Sequence, residues 1–468
     1  MSRWAFGTPN PIEDAARAAY ARSPIPELPL NRFSTTGGLL FATREGRRAA
    51  RADRNDWSPR LGLAFRVNDK TVLRAGYGLF FDYWSVGDFS SDGFSSSTPM
   101  LATIDDVRPA NVLSNPFPNG LLAPPGRSQG LRTLLGTAFQ IFQNQDRTPY
   151  NSRWQAGVQR EVMRDLRLEV NYVGETAQSL FVGNRGGGSG GEMSRTIRFL
   201  PQEYLPLGAR LQATVPNPFV GLIPSDLALG RPTISVQNLL ATYPHVSDLV
   251  IRRQSSGRSY YHGMQTTLTK RYSHGVQFLA TYTFQRQIER MQYLNDGDPA
   301  PSKTIGALWT PHRFTFAGVW EIPFGRGTRL GVWQLNLVHT FQSGFALLLP
   351  DNAYNAGTDV RLGPSERTVD RWFNTAAFRP LPAFTLRDLS VRTARLRGDA
   401  IHNSDLSLAK TTPITERVGL QIRCELFNAF NRAQFGAPNL TPTAGAYGRI
   451  TAQANAPRAV QLGLRLSF

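Results

Sequence analysis

The sequence has only one cysteine, Cys424, among its 468 residues, so no disulfide can form within the chain. It also lacks any run of about 18 consecutive apolar residues, the length that a membrane-spanning helix requires. The first 20 residues contain no continuous apolar core of the kind that a secretory signal peptide has. Disulfide-stapled folds and helical membrane proteins are therefore excluded, and an outer-membrane protein of this sequence would have its natural start upstream of Met1.

Acidic residues are scarce relative to basic ones. Asp plus Glu number 34 against 52 for Lys plus Arg, which gives a formal net charge of +18. Such an excess favours an anionic partner. The basic residues are nevertheless dispersed along the chain and lack the interleaved aromatic residues of a nucleic-acid recognition module. We therefore predict no nucleic-acid partner.

Recognisable catalytic and metal-binding motifs are missing as well. The run Gly187-Gly-Ser-Gly-Gly matches the nucleophile pattern G-x-S-x-G in form only, because no helix pattern follows it. No histidine has the close spacing of a metal ligand pair, and we expect scattered surface histidines, of which two fall on strands and the rest mostly in turns or loops. The six are His245, His262, His274, His312, His339 and His402. We predict no enzyme activity, no cofactor and no metal site.

What the sequence does contain is strict alternation of apolar and polar residues. Its clearest example is the last nine residues, where small or polar residues separate an apolar series. That series is Val460, Leu462, Leu464, Leu466 and Phe468. A strand points successive side chains to opposite faces, so this one has an apolar face and a polar face. A soluble sheet can show this pattern, whereas the strands of a membrane barrel must show it.

The same alternation recurs in five predicted hairpins. They span residues 60–83, 153–172, 258–287, 312–341 and 404–428. Short turns lie within the hairpins and long loops between them, the longest covering residues 84–149, 183–257 and 344–403. Membrane barrels have short periplasmic turns and long extracellular loops. We therefore predict an all-β antiparallel transmembrane barrel with eleven firm strands and a weak twelfth at residues 36–43, whose final strand descends to the periplasmic side. Cys424 lies in the apolar series of its strand and is predicted to act as a small hydrophobe.

Arginines recur on the polar side of the predicted strands. Those predicted to face the lumen are Arg74, Arg153, Arg167, Arg271, Arg417, Arg423 and Arg465. One interpretation is an electropositive interior that favours anionic ligands. The other is that they pair with lumen carboxylates such as Glu161, Glu169 and Glu425, or with residues of a plug domain. We favour pairing, because charges in closed polar interiors are normally networked.

Several blocks resemble Oar-like TonB-dependent outer-membrane receptors. DWSPRLGLAFR at residues 56–66 and DKTVLRAGYGLFFD at 69–82 resemble that family's barrel segment. Residues 148–173 and 371–378 are similar to two further blocks. The C-terminal part, with ELFNAFNRAQFG at 425–436 and PRAVQLGLRLSF at 457–468, matches best. The resemblance runs from about residue 36 to the end.

The resemblance implies a 22-stranded barrel, plugged by an N-terminal domain, that imports ligands with energy from the TonB complex. It also implies that Val460, Leu462, Leu464, Leu466 and Phe468 form the signal read by the barrel-assembly machinery. This chain holds about half of the strands and no plug or N-terminal regulatory module. We therefore expect an irregular segment at residues 1–35 and a partial barrel at 36–468, the C-terminal fragment of a receptor.

Three functions stay open at this point. The first is an outer-membrane uptake receptor, with membrane lipid, the assembly machinery and an unknown ligand as partners. The TonB complex would be a partner only if the missing N-terminal part supplies a plug. The second is a surface structural or adhesion barrel that transports nothing. The third is a soluble secreted β-protein that binds carbohydrate.

Overall fold

The structure is a computed structural model that describes residues 2–44, 53–82, 92–142, 147–184, 194–324, 332–350, 352–363 and 365–468. Its strands, in chain order, are β1 Ser2–Trp4, β2 Leu39–Phe41, β3 Arg60–Asn68, β4 Thr71–Phe81, β5 Ala138–Phe142, β6 Tyr150–Met163, β7 Leu166–Asn184, β8 Ser194–Thr196, β9 Thr214–Pro216, β10 Thr233–Ser235, β11 Asp248–Arg252, β12 Gln254–Ser273, β13 Val276–Tyr293, β14 Ser302–Ile305, β15 His312–Ile322, β16 Val332–Gln342, β17 Ala353–Asn355, β18 Phe378–Pro380, β19 Ile401–Pro413, β20 Gly419–Phe427 and β21 Ala459–Ser467. The α-helices are α1 Glu13–Tyr20 and α2 Val236–Leu239, and 3₁₀ turns cover Gly130–Arg132, Gln202–Gln212, Ala228–Gly230 and Thr375–Ala377.

One large, mostly antiparallel sheet of 12 strands dominates the fold. Eleven of its strands follow the path β3-β4-β6-β7-β12-β13-β15-β16-β19-β20-β21, and β14 pairs with β13 beside that path. Each strand lies next to its predecessor on the path, so the sheet is a long meander. The eleven firm strands predicted from alternation are confirmed, as is the all-β fold class.

The weak strand predicted at residues 36–43 does form, as the short β2, but it does not join the large sheet. Its central residues Leu39–Phe41 pair with Ser2–Trp4 in a separate two-stranded sheet. The reason is burial, since Leu39 and Trp4 are 1% and 5% exposed in a hydrophobic cluster outside the large sheet. The twelfth member is β14, in a stretch predicted as loop, because β13 continues to Tyr293 and offers an edge there.

Register keeps the two faces of the large sheet chemically distinct. Across β19, β20 and β21, Leu408 lies opposite Cys424 and Cys424 opposite Leu462. The neighbouring row is polar, with Ser407 opposite Glu425 and Glu425 opposite Gln461. Directly opposed residues share a face. We call the first the outward face and the second the polar face, and Cys424 lies on the outward face as predicted.

The two ends of the sheet also differ. Short turns join the strands at one end, which we call the short-turn end, and long connections join them at the other, the long-loop end. The turn between β12 and β13 uses His274 and Gly275, with φ of 54° and 78°. Two consecutive positive φ values are the mark of a tight hairpin turn, and glycine adopts them without strain. Residues 325–328 of the predicted turn at 323–328 lie outside the described residues.

The long connections carry most of the buried apolar side chains. One cluster brings α1 and its flanks together with residues 204–240, among them Phe33, Phe219 and Leu239, which are 0–1% exposed. A second cluster lies within residues 347–396. The loops are therefore folded units in their own right and not irregular tethers.

The N-terminal residues belong to this loop structure. The Asn10 side-chain amide donates to the carbonyls of Gly37 and Leu131 at 2.7 and 2.9 Å. Glu27 forms an ion pair with Arg210, with 2.8 Å between Oε1 and Nε. Residues 2–41 thus pack at the long-loop end against segments far along the chain. The domain division at residue 35 stays a prediction.

Glycine at 174 makes room for an indole ring. Trp154 lies opposite Gly174 across β6 and β7, and a Cβ at 174 would approach the ring to 2.3 Å. We expect Gly174→Ala to destabilise the sheet by about 1–3 kcal/mol, the usual cost of overpacking. The measurement is the temperature at which the folded, heat-modifiable form is lost on a gel. Gly62→Ala is the matched control, because nothing lies within 4 Å of its Cβ position; an equal shift in both variants would contradict the packing account.

Candidate functional site

The polar face gathers the charged residues of both signs. All seven carboxylates of the eleven-strand path lie on it, namely Glu161, Glu169, Glu175, Glu289, Glu321, Asp405 and Glu425. Five of the arginines predicted to face the lumen share this face, namely Arg74, Arg153, Arg167, Arg423 and Arg465. Arg271 lines a cavity with Arg167. Arg417 lies in the turn before β20 and not on a strand.

A groove runs along the polar face across β6, β7, β12 and β13. Its central cavity, of ≈ 250 Å³, is lined by Arg153, Glu175, Tyr261 and Gln287, among others. Arg153 and Glu175 are directly opposed across β6 and β7. A second cavity continues the groove toward the long-loop end and shares Glu175 and Gln287 with the first. The groove presents cationic, anionic and amide groups together, which suits a polar ligand or a polar plug.

The third cavity lies at the short-turn end and is balanced in charge. It is lined by the cations Lys70, Arg167 and Arg271 and by the carboxylates Asp69, Glu161 and Asp165. On β20, Arg423 and Glu425 form an ion pair with 3.4 Å between Nε and Oε1. Carboxylates thus lie close to several of these arginines, as the pairing interpretation requires. Whether the arginines face a lumen and select for anions stays a prediction.

The loop structure is anchored to the sheet above the groove. The Arg195 guanidinium lies 3.8 Å from the centroid of the Tyr293 ring at the end of β13. Arg195 Nη2 also donates to the Asp298 carbonyl at 3.1 Å. Burial raises the pKa of Asp296, against the lowering influence of the nearby Arg387 and Arg195 cations. Residues 194–252 are therefore held over the end of β13 by aromatic, polar and ionic contacts.

Four histidines lie on strands, where sequence reasoning placed two. His262, His312, His339 and His402 all lie on the outward face near the long-loop end. Tyr172 Oη lies 2.7 Å from His262 Nδ1, and Tyr282 Oη lies 2.8 Å from His312 Nδ1. These partners come from neighbouring strands, so only the register could have revealed them. Among the described residues no group of three or more metal-capable side chains occurs.

His245 is a core residue, so its prediction as a surface histidine is wrong. Its exposure is 0%, and its ring stacks on Trp4 with centroids 6.3 Å apart. Burial lowers the pKa of His245 to about 4, although the Gly37 carbonyl favours the charged ring. Neither ring nitrogen makes a hydrogen bond of good geometry with the described residues. His245 is therefore neutral at pH 7 and joins the N-terminal residues to the loop core.

The C-terminal strand forms one edge of the sheet. Its outward row, Val460, Leu462, Leu464 and Leu466, is 54–77% exposed, and Phe468 follows the strand end with 99% exposure. Within the described strands no pairing joins β21 to β3, the opposite edge. Their role as an assembly signal stays a prediction. The glycine-rich run at 187–191 lies outside the described residues.

No helix in the described part of the chain is both long and apolar enough to cross a membrane. Residues 3–461 match the sequence model of a family described as outer membrane beta barrel domain. No curated protein matches the chain. Several solved receptor structures are similar to the chain at a low level.

Three solved structures illustrate that similarity. The ferripyoverdine receptor of Pseudomonas aeruginosa is 10% identical with a TM-score of 0.39, over 88% of this chain and 32% of its own. The outer membrane transporter YddB of Escherichia coli is 11% identical with a TM-score of 0.41, over 88% and 40%. BauA, the ferric preacinetobactin receptor of Acinetobacter baumannii, is 11% identical with a TM-score of 0.38, over 88% and 36%. This chain spans between 32% and 40% of the length of these three receptors.

Proposed function

The chain belongs to the outer membrane beta barrel domain family, and on that premise we propose that it is the C-terminal barrel part of an Oar-like, TonB-dependent uptake receptor. Its role is transport of a ligand across the outer membrane, without catalysis. The barrel-assembly machinery inserts it, and the TonB complex acts on it only through a plug supplied by another part of the receptor. The division into residues 1–35 and a barrel from residue 36 belongs to the same proposal.

One observation carries this proposal. The long connections all leave the same end of the sheet, and they fold into compact cores above a polar groove. An uptake receptor needs an ordered surface at its mouth to select a ligand and a polar wall beneath it to pass the ligand on. A barrel with a purely mechanical role needs neither. Selection therefore falls to the described parts of residues 92–142, 194–252 and 344–400.

A surface adhesion barrel is the second candidate. The connection between β4 and β6 exposes large apolar side chains, including Ile104, Val107 and Leu113 at 70%, 82% and 99%. Exposed apolar groups in one loop favour contact with another macromolecule. A soluble secreted protein is disfavoured, because the outward face of the sheet is apolar and exposed and the family is one of the outer membrane.

Transport and adhesion can be separated in the bacterium that carries the gene. We would compare the wild type, a gene deletion and an internal deletion of residues 201–244 that leaves every strand of the large sheet intact. The measurement is accumulation of labelled metal chelates, oligosaccharides and peptides, with and without a protonophore. We expect both deletions, and the protonophore, to abolish accumulation of the same solute, because the loop core selects the ligand and import requires energy.

The internal deletion must still yield the heat-modifiable form in the outer membrane, which controls for assembly. Unchanged accumulation of every solute, combined with weaker surface attachment, would contradict transport and favour adhesion. Loss of uptake in the gene deletion alone would keep transport but remove ligand selection from residues 201–244.

A further inference from the structure

The outward face of the large sheet carries charge of one sign only. While the seven strand carboxylates lie on the polar face, the outward face of the eleven-strand path holds six cations. These are Arg160, Arg258, Lys270, Arg286, Arg290 and Lys410. Long basic side chains can reach along apolar surface to a membrane interface, which explains isolated cations on such a face. This reach to the interface does not explain why cations lie directly opposite one another on neighbouring strands.

The cations at the short-turn end are isolated. Arg160, Lys270 and Lys410 lie on three different strands. Lys270 donates to the Ser273 hydroxyl, and the Lys410 ammonium lies 5.3 Å from the centroid of the Trp333 ring. Each can reach the nearby interface alone, so these three need no ligand.

The cations at the long-loop end form a cluster on two adjacent strands. Arg258 on β12 lies directly opposite Arg290 on β13, and His262 lies opposite Arg286. Directly opposed residues of an antiparallel pair have their Cβ atoms about 5 Å apart, and like charges there destabilise the sheet. All four side chains are exposed. The guanidinium groups of Arg258, Arg286 and Arg290 make no ion pair or hydrogen bond with the described residues.

The cluster has two anion positions at a defined separation. One lies between Arg258 and Arg290, and the other beside Arg286 and His262, four residues further along β13. Four residues of a strand span about 13 Å. Tyr172 Oη lies 2.7 Å from His262 Nδ1. In the tautomer that accepts this hydroxyl proton at Nδ1, Nε2 carries a hydrogen that can be donated to an anion.

Apolar side chains continue the outward face on the membrane side of the cluster. The next row pairs Met264 with Phe284, which are 40% and 47% exposed, and Tyr260 is 37% exposed between the two anion positions. This order, cations above and apolar rings below, matches an amphiphile whose anionic head lies at the interface and whose chains lie in the hydrocarbon.

We propose that Arg258, Arg286, Arg290 and His262 form a binding site for a lipid of the outer leaflet that carries two phosphate groups about 13 Å apart. One phosphate lies between Arg258 and Arg290, where two guanidinium groups donate to it, and the other lies beside Arg286 and His262. The acyl chains lie against Met264 and Phe284. A lipid with one phosphodiester could occupy only one of the two positions. This site needs only that the sheet lies in the membrane with its long-loop end at the outer leaflet, and it does not depend on ligand uptake.

Native mass spectrometry of the detergent-purified full chain tests the site. The probes are lipid A with two phosphates, with one phosphate and with none. We expect the diphosphorylated form to bind best, and Arg258→Gln or Arg286→Gln to weaken its binding about tenfold, the effect of one charge-assisted hydrogen bond. Arg258→Gln should remove the preference of the protein for two phosphates over one.

Arg153→Gln and Arg313→Gln, on the polar face, are matched controls that change net charge equally and should leave lipid binding unchanged. Far-UV circular dichroism checks that each variant is folded. If a variant misfolds, the phosphate series on the unsubstituted chain still decides. The proposal would be overturned if all three lipids bound equally well, or if the polar-face variants lost as much lipid binding as the outward-face variants. It would also be overturned if inorganic phosphate displaced the bound lipid at the same concentration as added lipid does.

Discussion

Replacing Phe468 with glutamine will abolish outer-membrane assembly of the barrel while leaving the sheet unstrained. The Phe468 side chain is 99% exposed beyond the end of β21, so its removal takes no packing from this chain. The substitution removes the aromatic residue that ends the alternating apolar series of the C-terminal strand. This residue is the feature that we expect the barrel-assembly machinery to recognise. The folded, heat-modifiable form should disappear from outer-membrane fractions, and the unfolded chain should be degraded or accumulate.

Phe430→Gln is the matched control for this result. Phe430 is also a largely exposed phenylalanine, at 75%, but it lies in the connection between β20 and β21. We expect normal assembly in that variant. Equal amounts of the folded form in the Phe468 variant and the wild type would show that the C-terminal aromatic residue is not part of the signal.

Acidification from pH 7 to pH 4 should destabilise the loop core through His245. The folded state holds this ring neutral, with a pKa of about 4 against the ordinary 6.5. As pH falls below 6.5 the unfolded state binds a proton that the folded state does not, so the free energy of unfolding falls until pH reaches about 4 and then levels off. A shift of this size corresponds to about 3 kcal/mol. The Arg198 cation adds a smaller contribution in the same direction.

Hydrogen–deuterium exchange can locate this effect. Protection factors correct for the intrinsic pH dependence of exchange. As the pH is lowered from 7 to 4, they should decrease in residues 2–41 and 243–251 and decrease much less in the strands of the large sheet. His245→Leu removes the titrating group from an apolar site, so its protection factors in these residues should lose that dependence. If the protection factors of this variant decreased equally as the pH is lowered, the effect would have to come from other titrating groups.

The strands could be predicted because each one repeats the same local signal. Leu73, Ala75 and Tyr77 alternate with Arg74 and Gly76, and that rule needs no knowledge of a neighbour. The short turns were equally local, since two residues such as His274 and Gly275 close the hairpin. The sheet to which Leu39–Phe41 belongs could not be predicted, because a run of three apolar residues is too short to show a period that would identify its partner strand.

The loop cores and the outward cations could not be predicted, because both depend on partners far along the chain. The Asn10 side chain donates a hydrogen bond to the carbonyl of Leu131, which lies 121 residues further along the chain, and no local sequence pattern at either position predicts this contact. Arg258 and Arg290 are unremarkable in their own strands, and their opposition emerges only when the register of β12 against β13 is known. His245 lies in an ordinary loop sequence, and only the fold brings the distant Trp4 ring against it.

The eleven-strand path has a consequence for how the sheet can be completed. Because its antiparallel strands are odd in number, β3 and β21 run in the same direction. Antiparallel closure onto each other is therefore impossible, and two copies of the path that have the same orientation in the membrane would meet edge to edge in parallel pairs. An all-antiparallel barrel, the form that bacterial single-chain barrels take, can contain this sheet only if an odd number of further strands bridges its two edges. Any part of the protein or any partner that closes this sheet into such a barrel must therefore contribute an odd number of strands.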